Sequence, residues 1–384
     1  MKVYLKDIRT KEEALRAVEK VGVDSTIASE LADKIRFCVL EIGNLSSPEA
    51  TILKQVAISR GTDAAVHREV IVNGVDKSTV LLPGSFRELK LIAEELKKQP
   101  FGLPSLGDKI LNRLEIEDRK RDFKIMGVLN ITPDSFSDGG EYGRGEDARK
   151  RFNEIVEFGA DIIDVGAESS RPGAKSVGAD EELERLLPVL SLFGSCTIPV
   201  SIDTYKSEVA REALSAGASV VNDISALRMD PEMVEVVRDF DARVILMHMR
   251  GTPETMQENP SYDDVIGEIR EFFLERVEFC LGHHISPDRI ILDPGIGFGK
   301  RQVDNLVILN HLREFTTLGF PVLVGVSRKS FIGNITGKPP GNRLAGSLTA
   351  AVYSYIRGAS ILRVHDVLKT REALAVISHL ESEE

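Results

Sequence analysis

The stretch RVILMHMRGTPETMQENPSYDDVIGEIREFFLERVEFCLGHHISPDRIILD, Arg243–Asp293, decides the fold. It opens on a short β-branched run, RVILMH (Arg243–His248), and closes on another, RIILD (Arg289–Asp293). Between them Val265–Leu281 has the length and amphipathic spacing of a helix. Two strands joined through a helix run parallel, because the crossover returns the chain to the end from which it started.

The same unit repeats outward in both directions. Strands are expected at IMGVLNI (Ile125–Ile131), DIIDVG (Asp161–Gly166), PVSID (Pro199–Asp203), SVVND (Ser219–Asp223), PVLVGV (Pro321–Val326) and SILRVH (Ser360–His365). Helical stretches such as Lys206–Ala216 and Leu344–Arg357 follow them. Eight such units over about 250 residues fit a closed (β/α)8 TIM barrel better than an open doubly wound sheet. No strand is followed by the G-x-G-x-x-G turn and downstream acid of a dinucleotide fold.

Upstream, QPFGLPSLGD (Gln99–Asp108) is rich in Pro and Gly, and LEIEDRKRDFK (Leu114–Lys124) is a charged run without apolar period. These divide the chain into a smaller α/β domain, 1–115, and the barrel, 123–384. In the first domain helices are expected at Lys11–Val21, Pro48–Arg60 and Ser85–Lys98, and strands at Phe37–Ile42, Val66–Val72 and Thr79–Leu82. Asp63 and His67 beside Gly61 read as a turn in a packing or oligomerisation module rather than a ligand site.

Sixty acids against 49 bases give a formal charge of -11, which argues against a nucleic-acid partner. The cysteines Cys38, Cys196 and Cys280 match no metal or redox spacing and read as reduced. The N-terminus has no apolar signal segment, and no apolar run reaches membrane-spanning length. A cytoplasmic protein is expected.

In this fold the strand C-termini and the following loops build the active site. Here they carry Asn130, Asp203, Asn222, Asp223, His248, Asp293, Arg328, Lys329, Arg363 and His365. Polar groups from nearly every strand converge, which is the signature of an enzyme. The rim reads as two halves. Arg363 and His365, beside Asn130, suit phosphate oxygens. Asp203, Asn222 and Asp293 suit a neutral heterocycle rich in N–H donors.

Two loops, NITPDSFSDGG (Asn130–Gly140) and AESSRPGA (Ala167–Ala174), mix Gly, Pro and Ser with Phe136 and Arg171, as expected of lids over substrate. DPGIGFGK (Asp293–Lys300) is no Walker A loop, since Pro294 and Arg301 stand where Gly and Ser or Thr are required. It reads as a tight loop presenting Asp293. The adjacent His283 and His284 have no ligand spacing, and His248 suits a packing role as well as a catalytic one.

Taken together, MGVLNITPDSFSDGG, DIIDVGAESSRPGA, SIDTYK, VNDIS, LMHMRGTPETMQ, ILDPGIGFGK, VGVSRKSFIG and RVHDV resemble, in order and across the whole barrel, the strand-end motifs of dihydropteroate synthases. The preceding segments ILKQVAISRGTDAAV and QPFGLPSLG resemble those of long forms of the family, without assigning the extension a role. The resemblance implies a transferase of folate biosynthesis that joins a dihydropterin pyrophosphate to p-aminobenzoate, with Mg2+ as cofactor; a homodimer is the expected partner state, although the residues themselves do not give it. It implies that Asp203, Asn222, Asp293 and Lys329 hold the pterin, and that Asn130, Arg363 and His365 hold the pyrophosphate with Mg2+ beside Asn130. Catalysis would fall to Asp203, Lys329, Arg363 and His365. Phe136, Ser170, Arg171, Pro172 and Ser330 would shape the p-aminobenzoate site, with Ser170 where the family usually has Thr. A pterin-binding methyltransferase is the nearest competitor, but its substrate carries no pyrophosphate for Arg363, His365 and SRKS to meet. A non-catalytic pterin-binding paralogue is the remaining alternative, and the intact residue set argues against it.

Overall fold

The computed structural model describes all residues except 5, 7, 9, 119–121, 132–140, 170–172, 175, 383 and 384. The chain divides into two compact units, Met1–Lys120 and Arg121–Glu384.

The first unit is built on an antiparallel strand pair, β1 (Phe37–Ser46) with β2 (Lys77–Ser85), packed on helices Ser47–Ser59 and Phe86–Leu96. Each strand runs straight into its helix through a capping box. Ser46 N–H donates to Glu49 Oε2 (2.9 Å) and Ser85 N–H to Glu88 Oε2 (2.8 Å). These S-x-x-E signals satisfy the first orphan helix donors and fix where each strand must end. Val80 and Leu82, alternate residues of β2, are fully buried with Leu53, Leu89 and Ile92 from the helices.

Three readings of this unit are corrected. Val66–Val72 is not a strand. Val70 N–H bonds to His67 O, Val72 N–H to Glu69 O and Gly74 N–H to Glu69 O, so local turn bonds before Asn73 (φ 53°) override β-propensity. Helix Ser25–Ile35, capped by Asp24, was not expected. Gln99–Lys124 is not a linker throughout, because Leu103–Asp118 is one helix. Leu103, Ile110 and Leu114 fall seven and four residues apart and are buried on one face; the charges on the other face mask that stripe.

In the second unit eight parallel strands form the sheet: β3 (Lys124–Asn130), β4 (Ile162–Gly166), β5 (Val200–Asp203), β6 (Val220–Asp223), β7 (Arg243–Met247), β8 (Ile290–Asp293), β9 (Leu323–Gly325) and β10 (Ile361–Val364). Neighbours pair in chain order, β10 also pairs with β3, and a bridge between Leu292 and Val322 joins β8 to the entry of β9. The barrel is closed.

Alternation along each strand sends one residue inward and the next outward. The outward residues join the helices in a large shell that includes Phe273 packed edge-on against Phe315. Inside, Met126, Ile162, Val220, Ile245, Ile291, Leu323 and Ile361 form an apolar plug. Two residues further along those strands stand Val128, Asp164, Asn222, Met247, Asp293, Gly325 and Arg363. The plug is the floor on which a polar layer rests.

Every residue of the first unit's core lies between Ile42 and Leu114, and every residue of the barrel's cores between Ile125 and Leu374. Each unit therefore has the closed core that autonomous folding needs. A fragment from Asp122 to Glu384 should unfold in urea in one cooperative transition and bind a pterin. Aggregation, or a broad non-cooperative melt, would show that the barrel depends on the first unit.

Candidate active site

Arg363 occupies the centre of the polar layer. Its Nε donates to Asp164 Oδ2 at 2.5 Å and one terminal nitrogen donates to Asp203 Oδ2 at 2.6 Å. Asn222 Nδ2 donates to the same Asp164 oxygen at 3.2 Å. Strand register brings these together, since Asp203 pairs with Asn222 across β5 and β6, and β10 closes onto β3. The Asp164 side chain is fully buried. Burial pushes the Asp203 carboxyl up to about 7, against the pull of Arg363 and with the push of Asp164.

This geometry corrects the division of the rim into an anion half and a heterocycle half. Asp203, read in the heterocycle half, bonds to Arg363, read in the anion half, so the guanidinium belongs to both halves. A fork donor held by two carboxylates is fixed in place before any ligand arrives.

Asp293 ends β8, where Gly295 N–H donates to its Oδ1 at 2.7 Å. Gly295 has φ 65°, and a Cβ there would stand 2.1 Å from His248 O, so only glycine allows this turn. Burial raises the Asp293 carboxyl, with Lys329 opposing. Lys329 donates to Ile296 O and lies 4.6 Å above the Phe298 ring. Burial pulls its ammonium down to about 8, with Asp293 holding it up.

The remainder of that loop is structural. Lys300 is buried and donates to His248 O (3.1 Å) and Phe298 O (3.0 Å), with His248 Nδ1 at 3.0 Å. His248 packs edge-on to Phe272. Burial and the Lys300 charge drop its pKa to about 2, so the ring is neutral and accepts at Nδ1. The packing reading of His248 holds, and Lys300 staples a loop instead of facing a phosphate.

At the other side of the mouth, Asn130 ends β3 half-buried. His365 follows β10 with Nδ1 3.0 Å from Ser327 Oγ. Ser330 begins helix Ser330–Thr336 and is exposed. Arg328 grips Asp366 with two bonds, at 2.7 and 3.1 Å, which commits its fork away from the barrel centre. Asp223 is spent capping its own turn, accepting from Ser225 and Leu227 N–H. Phe136, Ser170, Arg171 and Pro172 lie outside the described residues.

Residues 126–365 match the profile of the family described as pterin binding enzyme. The chain belongs to that family. Among relatives it is similar to the dihydropteroate synthase of Synechocystis sp., 49% identical over 255 residues, which cover 66% of this chain and 87% of that one. A solved structure, Xanthomonas albilineans dihydropteroate synthase with 4-aminobenzoic acid, is 44% identical with a TM-score of 0.64. It covers 68% of this chain and 93% of its own. The probable bifunctional folylpolyglutamate synthase/dihydropteroate synthase of Haloferax volcanii is 34% identical over 399 residues, covering 97% of this chain and 47% of that protein.

Within this pterin-binding barrel the sequence reading missed Asp164. The signal was present: a carboxylate two residues beyond Ile162, on the inward parity of an otherwise apolar strand, has no place in a plug unless a cation meets it. Also missed was Lys206, which bonds to Glu168 and, at 2.5 Å, to Glu182.

The Asp203 carboxyl, raised to about 7, is an ionised acceptor above that pH and a protonated group below it. Affinity for 6-hydroxymethylpterin should therefore fall about fivefold to tenfold between pH 7.5 and pH 6. Calorimetry at the two pH values checks this. Asp203→Asn should flatten the dependence, and a wild-type affinity indifferent to pH would remove Asp203 from ring recognition.

Proposed function

We infer that the chain is a dihydropteroate synthase, a transferase of folate biosynthesis. It condenses 6-hydroxymethyl-7,8-dihydropterin pyrophosphate with p-aminobenzoate and releases pyrophosphate. The observation that carries this reading is the polar layer itself: three carboxylates (Asp164, Asp203 and Asp293), an amide, an ammonium and a guanidinium above an apolar floor, in a pterin-binding barrel.

Asp293 and Asn222 can accept and donate along the ring edge, and Lys329 can donate to its carbonyl. Arg363, Asn130 and His365 would receive the pyrophosphate. The bond from the 6-methylene carbon to the leaving oxygen breaks, the arylamine nitrogen forms the new bond, and the amine proton is lost. No protein nucleophile is needed. Asp203 faces positive charge developing on the pterin, while Arg363 faces the negative charge that grows on the leaving group. A methyltransferase on the same barrel would have no pyrophosphate for Arg363 and His365.

Mg2+ fits this site as a visitor with the substrate. Among the described residues no group of three or more His, Cys, Asp and Glu could cage a metal. The Asn130 amide oxygen is a hard ligand of the kind Mg2+ takes alongside phosphate oxygens and water. Held by Asn130 and the pyrophosphate, the ion would neutralise part of the leaving group's charge. Phe136, Ser170, Arg171, Pro172 and Ser330 are proposed to shape the p-aminobenzoate side.

The partners are these small molecules and a second copy of the chain. Val303 and Leu306 on helix Gln302–Asn310 and Ile335 on helix Ser330–Thr336 are exposed apolar side chains, on helices tied by a 3.0 Å bond from Asn334 to Gln302. We propose that this face forms the homodimer. No helix among the described residues is long and apolar enough to cross a membrane, and the thiols of Cys196 and Cys280 are free, in keeping with a cytosolic enzyme.

Two experiments test the reading. Arg363→Ala should lower kcat/KM for p-aminobenzoate and the dihydropterin pyrophosphate by about two orders of magnitude or more; an unchanged value would remove Arg363 from the reaction. In sedimentation, the wild type should run at twice the 42.3 kDa chain mass. The double variant Val303→Glu, Leu306→Glu should run as a monomer; if it stays dimeric, the interface lies elsewhere.

A further inference from the structure

Seven of the barrel's strands put an apolar side chain into the plug, and the exception is β5. Val200 and Ile202 of that strand join the outer shell, so Ser201 between them points inward. It is fully buried, and its hydroxyl has no hydrogen-bond partner among the described residues. An unpaired buried hydroxyl is a cost that an alanine would remove. Packing alone therefore gives no reason for a serine here.

Strand register shows what stands within its reach. Ser201 pairs with Val220 on one side and with Asp164 on the other. Neighbouring strands lie about 4.8 Å apart and paired residues share a face, so rotation about the Cα–Cβ bond of Ser201 can carry Oγ to the Asp164 carboxylate. That carboxylate is served unevenly. Its Oδ2 accepts from Arg363 Nε at 2.5 Å and from Asn222 Nδ2 at 3.2 Å. Among the described residues its Oδ1 accepts only from Asn222 Nδ2, at 3.4 Å.

Both Asn222 contacts are longer than the roughly 3.0 Å at which N–H···O bonds are commonest. The amide thus holds Asp164 loosely, and it is the amide that would turn to the edge of a bound ring. Once it turns, Asp164 keeps the guanidinium and loses its second donor, in a layer where its side chain is fully buried. A buried charge that loses a donor is costly. The idle hydroxyl of Ser201, directly below, can replace the bond.

We propose that Ser201 is a positioning residue for ring recognition: its hydroxyl takes over Asp164 when Asn222 leaves it, so the amide can turn to the pterin without stranding a buried carboxylate. Ser201 touches no ligand itself. The inference rests on the synthase reading in taking the pterin as the ligand that Asn222 meets.

The test separates stability from recognition. Ser201→Ala removes the donor and the unpaired hydroxyl together, so the free variant should melt at or slightly above the wild-type temperature. Its affinity for 6-hydroxymethylpterin, measured by calorimetry, should nevertheless fall about tenfold. Ser201→Cys keeps a weaker donor and should fall between the two; it carries the test if Ser201→Ala does not fold. In an Asn222→Ala background there is no amide to release, and Ser201→Ala should cost less than about twofold. A crystal structure of the wild-type chain with 6-hydroxymethylpterin should show Ser201 Oγ bonded to Asp164, with Asn222 Nδ2 turned away. Asn222 still bonded to Asp164 in that complex would overturn the proposal. So would an undiminished pterin affinity in folded Ser201→Ala, or a tenfold loss that persists in the Asn222→Ala background. A wild-type chain that binds no pterin would instead refute the synthase reading, which is a separate outcome.

Discussion

The grip of Asp164 and Asp203 on Arg363 is the interaction around which the barrel's mouth is organised. A guanidinium inside a barrel is tolerable only if carboxylates meet it, and two carboxylates are tolerable only if a cation lies between them. The cluster carries one negative charge in excess, and burial of that excess is what raises Asp203. The site therefore meets its ligand with a fork donor already aimed and a carboxylate poised near neutrality.

The apolar plug makes that cluster possible. Seven inward side chains, from Met126 to Ile361, close the floor, and the strand period places the functional side chains two residues above them. A one-residue slip in any strand would send its polar group into the helix shell and an apolar one into the mouth. Register is thus enforced twice, by burying the apolar set and by pairing the charged one. The Gly295 turn, closed by Lys300 and His248, extends the same constraint beyond β8.

Much of this was legible in the chain. Short β-branched runs alternating with amphipathic helices state a parallel closed barrel, and the strand-end rule of that barrel picks out Asn130, Asp203, Asn222, Asp293, Lys329, Arg363 and His365. The first unit was read less well. Its Val66–Val72 run has strand composition, but a turn at Asn73 satisfies its backbone locally. Its Leu103–Asp118 helix hides an apolar stripe under charges that face the other way. Propensity and composition are averages over environments, and here the environment decided.

What the sequence by itself determined is the fold of the barrel, the family and the set of polar groups at the strand ends, because strand period and strand order depend on local pattern. What only the tertiary structure decided is which of those groups meet. Asp164 and Asp203 stand 199 and 160 positions before Arg363 in the chain, yet a carboxylate oxygen of each lies within 2.6 Å of its guanidinium. Arg328, Asp223 and His248 carry equally suggestive side chains, but Asp366, a local turn and Lys300 take them up. A residue's type says what bond it can make, whereas closure of the barrel decides which partner stands within reach, and at ionic-contact distances the partner sets the charge, the protonation and the role.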